Sequence, residues 1–514
     1  MNAMSPPPGM PSADTVPLIP PSAPFSPAQR AWLNGFLAGI YGGQAGSGQG
    51  MSGGMSVGAA PVEEDMPWHD PALEMEERLH LADGRPQNRQ LMAAMAQLDC
   101  GQCGYLCQTY AEALADGRET SASLCVPGGK PTTKMLKSML AAGPVVVAAP
   151  PPVVAAPTGQ PVRVLSVDRL SGDASAKEVR HIRIDLAESG LRYLPGDSLG
   201  LMAENDPVLV AALCHALRTD DPDVAHALGT KLDIARPQDR TLELLAGAAT
   251  DKAEAKTLRA LQDGDDGIEP VDADLLDLLQ AFPSARPPVA DLLRSLPTLK
   301  PRLYSIASAP EAAPGEVHLC VSVVRTPRRG RVRQGVASAF LADYATDGRT
   351  AHATITTSHF RLPEHPDTAI IMVGPGTGIA PFRAFLQARG HAPKKGPSWL
   401  FFGDQHAATD FLYKEEIEAW QADGTLTHLS LAFSRDQAKK IYVQDRMREN
   451  AADLWHWLQD GAHFYVCGDA SRMAKDVDTA LRDIAKSEGG LTDAQAKDWT
   501  AALARQGRYL RDVY

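Results

Sequence analysis

The sequence predicts a multidomain α/β protein, and three observations lead to this fold class. The chain has 514 residues, enough for roughly two to four domains of ordinary size. From residue 368 onward, short apolar runs alternate with helical stretches, as in a doubly wound parallel sheet. Between 161 and 367, alternating residues and turn signals indicate a β domain that a Leu- and Ala-rich helical stretch interrupts.

Composition and charge restrict the classes of partner. Lys and Arg together number 50 and Asp and Glu number 62, a net charge of −12 that argues against nucleic acid. The first residues have neither the basic start nor the apolar core of a signal peptide. The uncharged stretch from Ala141 to Pro161 contains repeated prolines and cannot form a membrane helix. We expect a cytoplasmic protein without membrane contact.

The first 64 residues are expected to be disordered except for one short helix at 26–41. Ser26 is a suitable N-cap, Pro27 suits the first helical position and Gln29 completes a capping box. The apolar residues of this helix share one face, which must be buried against something. That face packs either on its own chain or on a partner, such as a second copy in a homo-oligomer.

Residues 65–140 are predicted to form a compact helical domain that holds four of the seven cysteines, namely Cys100, Cys103, Cys107 and Cys125. One tight cluster in an odd total indicates a metal site in a reducing compartment rather than a disulfide framework. Thiolates suit iron–sulfur clusters or zinc. Gly101 and Gly104 allow the backbone to approach and donate N–H groups to sulfur. The residues alone leave an iron–sulfur cluster, structural zinc and free thiols open.

The cysteine segment also resembles the four-cysteine iron–sulfur domain of electron-transfer subunits in anaerobic and respiratory complexes. The stretches that carry the resemblance are DCGQCGYLC and LCVPGGK. This sequence has one residue fewer between its second and third cysteines than that pattern. The resemblance implies a [4Fe–4S] cluster.

An Ala- and Pro-rich linker at 141–160 follows, long enough for the cysteine domain to move relative to the rest. The β domain at 161–367 contains its helical insert at 201–297. The last domain, 368–514, has four apolar runs that predict buried parallel strands. Its first run leads into a glycine-rich turn that opens a helix, at Gly374, Gly376, Thr377 and Gly378. On these residues alone, the turn is as consistent with a plain βα connection as with a site whose N–H groups bind a pyrophosphate.

From about 161 to 514 the chain closely resembles the diflavin reductases, a family that includes the flavoprotein component of NADPH–sulfite reductase. The matching stretches occur in order and include RLYSIAS, QGVASAFLAD, IMVGPGTGIAPFRAF, LAFSRDQAKKIYVQDRMRE, HFYVCGDASRMAKDV and RYLRDVY. The resemblance implies a ferredoxin–NADP reductase-like fold, with an FAD-binding β-barrel that carries a helical insert and an NADPH-binding α/β domain.

The resemblance also implies an FAD site. Arg302 is expected to meet the flavin phosphate, Tyr304 to pack on the flavin or ribityl, and Ser305 to bond near the flavin N5. Tyr514 corresponds to an aromatic that stacks on the flavin and moves to admit nicotinamide. The FAD pyrophosphate is expected at the backbone turn formed by Gly335, Val336, Ala337 and Ser338.

A second set of matching residues is implied for NADPH. The cradle for its 2′-phosphate is expected at Ser434, Arg435, Lys440 and Tyr442. A dianionic phosphate suits an Arg fork, a Lys charge and hydroxyl donors. Asp469 belongs to the motif beside the nicotinamide, and the residues expected to support hydride transfer are Ser305, Cys467 and Asp512. On the residues alone, a buried strand cysteine is the preferred interpretation of Cys467.

Two departures from the family stand out. Thr326 occupies a position where the family usually has an aromatic that stacks on adenine. Diflavin reductases also carry a flavodoxin-like FMN domain before the FAD domain, and here the four-cysteine domain stands in that place. We therefore expect FAD without FMN.

The combined prediction is an NADPH-dependent flavin oxidoreductase that passes electrons from NADPH to FAD, to [4Fe–4S] and on to a siroheme sulfite reductase hemoprotein. Flavins link hydride transfer to single-electron carriers. One alternative is a general NADPH reductase for ferredoxin, flavodoxin or nitrite reductase. Another is a non-catalytic assembly subunit whose cysteines hold zinc. A basic stretch is either a dock for an acidic acceptor or a solvated loop, at Arg325, Arg328, Arg329, Arg331 and Arg333.

Overall fold

The computed structural model describes residues 66–71, 73–99, 101, 103–142, 159–263, 268–270, 272–344 and 351–514. The predicted helix at 26–41, most of the predicted linker and Cys100 lie outside these residues. No helix within these ranges has both the length and the apolar character needed to cross a membrane. Residues 66–514 form one compact unit.

Among the described residues, four helices surround Cys103, Cys107 and Cys125: α1 Met75–Leu81, α2 Gln87–Ala93, α3 Cys107–Ala115 and α4 Gly129–Ala142. Their shared core is fully buried and contains Trp68, Leu91, Tyr110 and Leu136, with Cys125 at its edge. A 14-residue helix such as α4 is marginal alone, so this apolar core stabilises the whole group.

Several described residues of the loop before α3 have a left-handed backbone. The φ angles are 62° at Gln97, 45° at Asp99, 62° at Gly101 and 81° at Gly104. Glycine adopts such angles without a steric penalty, which explains its use at positions 101 and 104. The N–H of Cys107 donates to Asp99 Oδ1 at 2.6 Å, and this hydrogen bond fixes the start of α3.

Eight strands lie between 159 and 356: β1 Gln160–Arg169, β2 Val179–Asp185, β3 Ser198–Met202, β4 Arg302–Ser305, β5 Glu316–Ser322, β6 Arg325–Arg328, β7 Arg331–Gln334 and β8 Ala351–Thr356. Six of them form an antiparallel sheet in the order β4-β3-β8-β1-β2-β5. An antiparallel bridge between Ile306 and Leu319 joins the two edges, so the sheet closes into a barrel. Strands β6 and β7 form a separate hairpin.

The barrel interior follows the period-two pattern of the strands. Ile182 and Ile184 on β2, and Val317 and Leu319 on β5, point into one apolar core. Their neighbours Arg183 and His318 point away from it and form hydrogen bonds with Glu316. Burial of alternate side chains therefore sets the register of this sheet.

Six helices lie between β3 and β4: α5 Pro207–Leu217, α6 Pro222–Thr230, α7 Asp239–Ala248, α8 Lys252–Asp263, α9 Leu275–Ala281 and α10 Val289–Ser295. Leucines supply most of their core. Asp206, Asp221 and Asp274 cap α5, α6 and α9 through their side chains. After the hairpin, α11 Val336–Ala339 continues into a π-helical turn at Phe340–Tyr344.

The last part of the chain contains a parallel sheet of β9 Ile370–Val373, β10 Ser398–Asp404, β11 His428–Phe433, β12 His463–Gly468 and β13 Tyr509–Val513, in the order β11-β10-β9-β12-β13. The accompanying helices are α12 Ala380–His391, α13 Ala407–Asp410, α14 Lys414–Ala422, α15 Val443–Glu449, α16 Ala451–Gln459, α17 Met473–Ser487 and α18 Asp493–Arg505. Separate apolar clusters contact the two faces of this sheet.

The first four of these strands coincide with the four predicted apolar runs. Strand β13 is not predicted by apolar pattern because Arg511 and Asp512 interrupt it. It nevertheless pairs in parallel with β12, with Cys467 opposite Asp512. This pairing brings an acidic side chain to the carboxyl end of the sheet.

Candidate functional site

The barrel and the parallel sheet meet at one carboxylate, that of Asp512. Ser305 at the end of β4 donates its hydroxyl to Asp512 Oδ2 at 2.6 Å. The Cys467 thiol, at the end of β12, lies 3.8 Å from the same oxygen. The three residues expected to support hydride transfer are therefore within hydrogen-bonding distance, although they are 45 to 207 positions apart in sequence.

Burial sets the electrostatics of this group. Burial raises the pKa of Asp512. The hydrogen bonds from Ser305 and Cys467 favour the ionised form and only partly oppose this rise. Burial also raises the pKa of the Cys467 thiol well above its usual value, and the nearby Asp512 charge adds to the shift. The thiol thus remains protonated at neutral pH and can donate a hydrogen bond or a proton.

Tyr514 lies beside this group and is 37% exposed. Its backbone N–H donates to Gly468 O at 3.0 Å, which continues the pairing of β13 with β12. Its hydroxyl is 3.1 Å from Thr377 Oγ1 in the glycine-rich turn. The ring of Tyr514 is thus partly exposed, and its hydroxyl contacts the glycine-rich turn.

The glycine-rich turn is tightly enclosed. A Cβ on Gly378 would lie 2.1 Å from the carbonyl oxygen of Cys467, and one on Gly374 would lie 2.5 Å from Gly378 O. Gly376 has a left-handed φ of 59° and begins the 3-10 turn Gly376–Ile379 that leads into α12. This turn therefore presents a helix N-terminus at the carboxyl end of the sheet, where nucleotides bind in open α/β sheets.

One pair of charged residues at this turn was not singled out by sequence reasoning. Lys177, in the loop between β1 and β2, forms an ion pair with the buried carboxylate of Asp404 at the end of β10. The second oxygen of Asp404 has no hydrogen-bond partner among the described residues, and a Cβ on Gly376 would lie 3.6 Å from it. The stretch WLFFGDQH contains Asp404 at the end of a strand. No spacing to another polar residue in the sequence marks this aspartate as functional.

The predicted phosphate cradle follows β11. The N–H groups of Ser434 and Arg435 donate to the carbonyls of Asp404 and Gln405, at 2.8 and 2.9 Å. The side chains of Arg435, Lys440 and Tyr442 are exposed. Within the described part of the chain, neither Arg435 nor Lys440 forms an ion pair with a carboxylate, so both charges are available to an anion.

Asp469 has a different environment from the other predicted nucleotide residues. Its carboxylate accepts hydrogen bonds from the N–H groups of Ser471, Arg472 and Met473 at 3.0 to 3.3 Å. Burial alone would raise its pKa, but these bonds and that of the Ser471 hydroxyl hold the pKa below its usual value. The carboxylate is thus occupied in starting α17.

The residues predicted to bind FAD lie along β4 and α11. Arg302, Tyr304 and Ser305 are all half-buried on β4, and Arg302 has no carboxylate partner among the described residues. At α11, the Val324 N–H donates to Ser338 Oγ at 3.2 Å and the Gly335 N–H to Val324 O at 2.9 Å. The predicted pyrophosphate turn, which also includes Val336 and Ala337, is therefore joined to Val324, just before the basic hairpin, by one backbone and one side-chain hydrogen bond. Thr326 is exposed on β6.

The basic hairpin does not present free arginines. Arg325 pairs with Glu178 and Asp343, and Arg328 pairs with Asp272. Arg329 pairs with Glu269 and Asp277. Arg331 and Arg333 each pair with both Asp274 and Asp277, at the start of α9. Residues 325–330 are exposed to solvent, but each arginine of the segment pairs with a carboxylate of the same domain, so the segment does not offer a free basic dock.

Three of the four predicted cluster cysteines lie together. Cys103, Cys107 and Cys125 line one small cavity that Met95 and Leu98 also border. Burial raises the pKa of Cys125. The N–H groups of Ala96 and Gly128 donate hydrogen bonds to its sulfur, which lowers the pKa but does not outweigh burial. Within the described residues, no three His, Cys, Asp or Glu side chains form a group that could hold a metal ion, and Cys100 lies outside them.

The family comparisons agree with the two larger domains. Residues 156–228 and 223–340 match the FAD binding domain family. Residues 372–479 match the oxidoreductase NAD-binding domain family. The predicted FAD-binding and nucleotide-binding domains are thus confirmed, and the four-cysteine domain stays a prediction.

Whole-sequence comparison identifies similar proteins named sulfite reductase [NADPH] flavoprotein alpha-component. The chain is 45% identical to that of Mannheimia succiniciproducens over 363 residues, which are 68% of this chain and 60% of the relative. It is 44% identical to that of Zymomonas mobilis over 366 residues, or 68% and 59%. For Escherichia coli K12 the identity is 42% over 368 residues, or 69% and 60%. The chain spans about 60% of the length of these curated relatives.

Proposed function

We propose that this chain, a homologue of sulfite reductase flavoproteins with FAD-binding and NAD-binding domains, is an NADPH-dependent flavin oxidoreductase of assimilatory sulfite reduction. The observation that carries the proposal is the convergence of Ser305, Cys467 and Asp512 across the two domains. One of these residues is on the FAD side and two are on the nucleotide side. A group assembled in this way fits transfer between two bound cofactors.

Charge and backbone donors support the nucleotide assignment. Arg435 and Lys440 form no ion pairs with described carboxylates, so a 2′-phosphate would meet two free cations. The turn at Gly376 presents helix N–H groups that suit the pyrophosphate. NADPH is therefore the preferred nucleotide, because NADH offers nothing for the two cations to bind.

The FAD side is supported by β4 and α11. Arg302 would meet a flavin phosphate, Tyr304 would pack along the flavin, and the turn at Gly335 would hold the pyrophosphate. Bound FAD would supply the chemistry that accepts a hydride and releases single electrons. Ser305 and Cys467 would orient the reacting groups by hydrogen bonds, and Asp512 would hold both donors in place.

The cysteine domain would supply the iron centre of the pathway. Cys103, Cys107 and Cys125 border one cavity whose other walls are largely apolar, and Cys100 is three residues before Cys103. N–H donors directed at the Cys125 sulfur stabilise a thiolate ligand. A set composed of cysteines alone, beside an FAD-binding domain, favours [4Fe–4S] over structural zinc. A bound cluster would add one-electron chemistry.

A siroheme sulfite reductase hemoprotein is the proposed acceptor, by extension from the name of the relatives. The paired arginines of the hairpin do not favour docking of an acidic face there, so the acceptor must use another surface. The general reductase remains the competing proposal, since it requires the same residues and differs only in acceptor.

The test is a cofactor analysis followed by a paired assay on a Cys103→Ser variant. The purified full chain should contain FAD without FMN, together with iron and sulfide. The variant, with its FAD content checked, should still reduce a small artificial acceptor at the wild-type rate and fail to drive sulfite-dependent NADPH oxidation with the hemoprotein. Full sulfite-dependent activity in the variant would show that the cysteines are not on the path. Activity with ferredoxin but not with the hemoprotein would favour the general reductase.

A further inference from the structure

The loop that carries Cys103 lies directly against strand β4 of the FAD-binding domain. A Cβ on Gly101 would lie 2.5 Å from Leu303 Cδ1 and 2.8 Å from its Cγ. One on Gly104 would lie 2.5 Å from Lys300 Cδ. A side chain at Gly101 would therefore overlap Leu303, whereas the flexible Lys300 side chain could move away from one at Gly104. Leu303 lies between Arg302 and Tyr304, the residues proposed for FAD.

Further contacts extend this interface on both sides. The Lys300 ammonium lies 5.1 Å from the centre of the Tyr105 ring, a cation–π arrangement. Leu98 packs against the core of the NAD-binding domain and also borders the cysteine cavity. Leu98 thus connects the wall of the cysteine cavity with the apolar core beside the parallel sheet.

Complementary charges surround these contacts. Asp70 pairs with Arg511 at 2.9 Å, Glu74 with Lys475 at 3.1 Å, and Glu77 with Lys497. All three acids come from α1 or the segment before it, and all three bases come from the NAD-binding domain. On another side, Lys137 of α4 pairs with Asp239 of the helical insert at 2.9 Å. Arg511 is only 12% exposed and directly precedes Asp512.

We infer that the cysteine domain works from this docked position, as a fixed relay that meets the flavin strand at the Gly101–Leu303 contact. The inference rests on the proposed function for its electron-transfer part. With FAD and an iron centre bound, the two electrons of an NADPH hydride would leave FAD singly for the iron centre, and an external acceptor would reoxidise that centre. Movement of the cysteine domain away from this position is then not part of each turnover.

The docked position is tested first by carbodiimide cross-linking of the full chain and mass spectrometry. The expected products join Glu74 to Lys475 and Glu77 to Lys497. The intradomain pair Lys486–Asp493, at 2.9 Å, is the positive control. Docking is supported if the interdomain products form in yields comparable to the control, and it is overturned if only the control product forms. Lys475→Gln and Lys497→Gln identify each product by its loss.

Two glycine variants separate contact from backbone strain. Gly101→Ala should lower the yield of both interdomain products, because its Cβ would overlap Leu303. Gly84→Ala is the matched control, since Gly84 has a similar φ of 72° in the same domain and no atom within 4 Å of the added Cβ. Leu303→Ala added to Gly101→Ala should recover part of the yield. Equal losses in both glycine variants would overturn the assigned contact.

The relay is tested on the cross-linked protein. Anaerobic reduction of the iron centre by NADPH should proceed at an unchanged rate once Glu74 is joined to Lys475. A tenfold or greater loss would overturn a fixed relay and require movement of the domain. Iron content, measured separately, keeps the two ideas apart. Cross-links without iron refute the cluster and leave docking intact, and iron without cross-links does the reverse.

Discussion

Two basic segments of this chain look alike in sequence and differ in the structure. The hairpin β6–β7 and its flanks carry five arginines within nine residues, and the stretch after β11 carries Arg435, Lys439 and Lys440. Every hairpin arginine pairs with a carboxylate of its own domain. Neither Arg435 nor Lys440 does so within the described residues. The availability of a cation to a ligand therefore depends on its neighbours and not on the local density of charge.

The difference has a physical origin in the helical insert. Asp274 and Asp277 lie at the start of α9 and are almost completely buried. The carboxylate of each accepts a hydrogen bond from the backbone N–H of the other. A buried carboxylate is costly unless it is paired. The hairpin arginines supply those pairs, so they belong to the stability of the fold. After β11, no described carboxylate forms an ion pair with Arg435 or Lys440, and both side chains are exposed.

The largest expected effect is on stability, at the hairpin. Arg331 Nη2 lies 2.6 Å from oxygens of both Asp274 and Asp277. Arg331→Ala should lower the free energy of unfolding by about 3 kcal/mol, at the lower end for a broken buried pair because Arg329 and Arg333 still face Asp277. Denaturant unfolding measures the change, and NADPH affinity should not alter.

Arg328→Ala is the matched control for that variant. Its partner Asp272 is 72% exposed, and exposed pairs contribute about 0–1 kcal/mol. If Arg328→Ala destabilises the protein as much as Arg331→Ala does, burial of the carboxylates does not explain the hairpin.

The next effect is on binding, at the other basic segment. Loss of a charge-assisted contact removes about 1.5–3 kcal/mol, so Arg435→Ala should weaken NADPH binding roughly 10- to 150-fold. The NADH dissociation constant should stay nearly unchanged. The free energy of unfolding should move by less than about 0.5 kcal/mol, as for an ordinary surface change. Equal losses for both nucleotides, or a large loss of stability, would remove the contrast between the segments.

A third variant sharpens the comparison with a buried carboxylate that has no cationic partner among the described residues. Burial raises the folded pKa of Asp512, so the folded state binds its proton more tightly than the unfolded chain does. The stability this group contributes is full below the unfolded pKa of about 3.9 and is lost as pH rises through the raised value. Asp512→Asn removes that loss. It should therefore be more stable than the wild type at neutral pH and equal to it in acid, while NADPH-dependent flavin reduction falls.

Asp469→Asn provides the opposite sign. The folded pKa of Asp469 is held low, so its contribution is present above the unfolded pKa and lost as pH falls through the folded value. Removing the negative charge near this helix start should destabilise the protein by about 0.3–1 kcal/mol at neutral pH and less in acid. Urea unfolding across pH measures both variants. Parallel pH dependences for the two would contradict the assigned environments.

The pattern of apolar residues along the sequence predicted the strands that are apolar or alternating over their own length. Four apolar runs gave four parallel strands, and alternation gave β1 and β2. Strand β13 was missed because its burial depends on a neighbouring strand that pattern does not reveal, while Arg511 and Asp512 hide its apolar residues. The three-residue group was reached only through family resemblance. The hairpin ion pairs were out of reach, because they join segments about 50 residues apart across an insert.

The smallest expected effect concerns the contact between Tyr514 and Thr377. A single hydrogen bond of this kind, between neutral groups and partly exposed, contributes about 0.5–1.5 kcal/mol. Tyr514→Phe and Thr377→Val each remove it while keeping the ring and the bulk. A ring that is less firmly held should compete less with nicotinamide, so kcat/KM for NADH should rise by at most about tenfold in either variant. The NADPH preference due to Arg435 should remain. Because both substitutions remove the same bond, the double variant should show no further gain. Additive gains would mean that the two hydroxyls act separately, and unchanged use of NADH in both would mean that the contact does not restrain the ring.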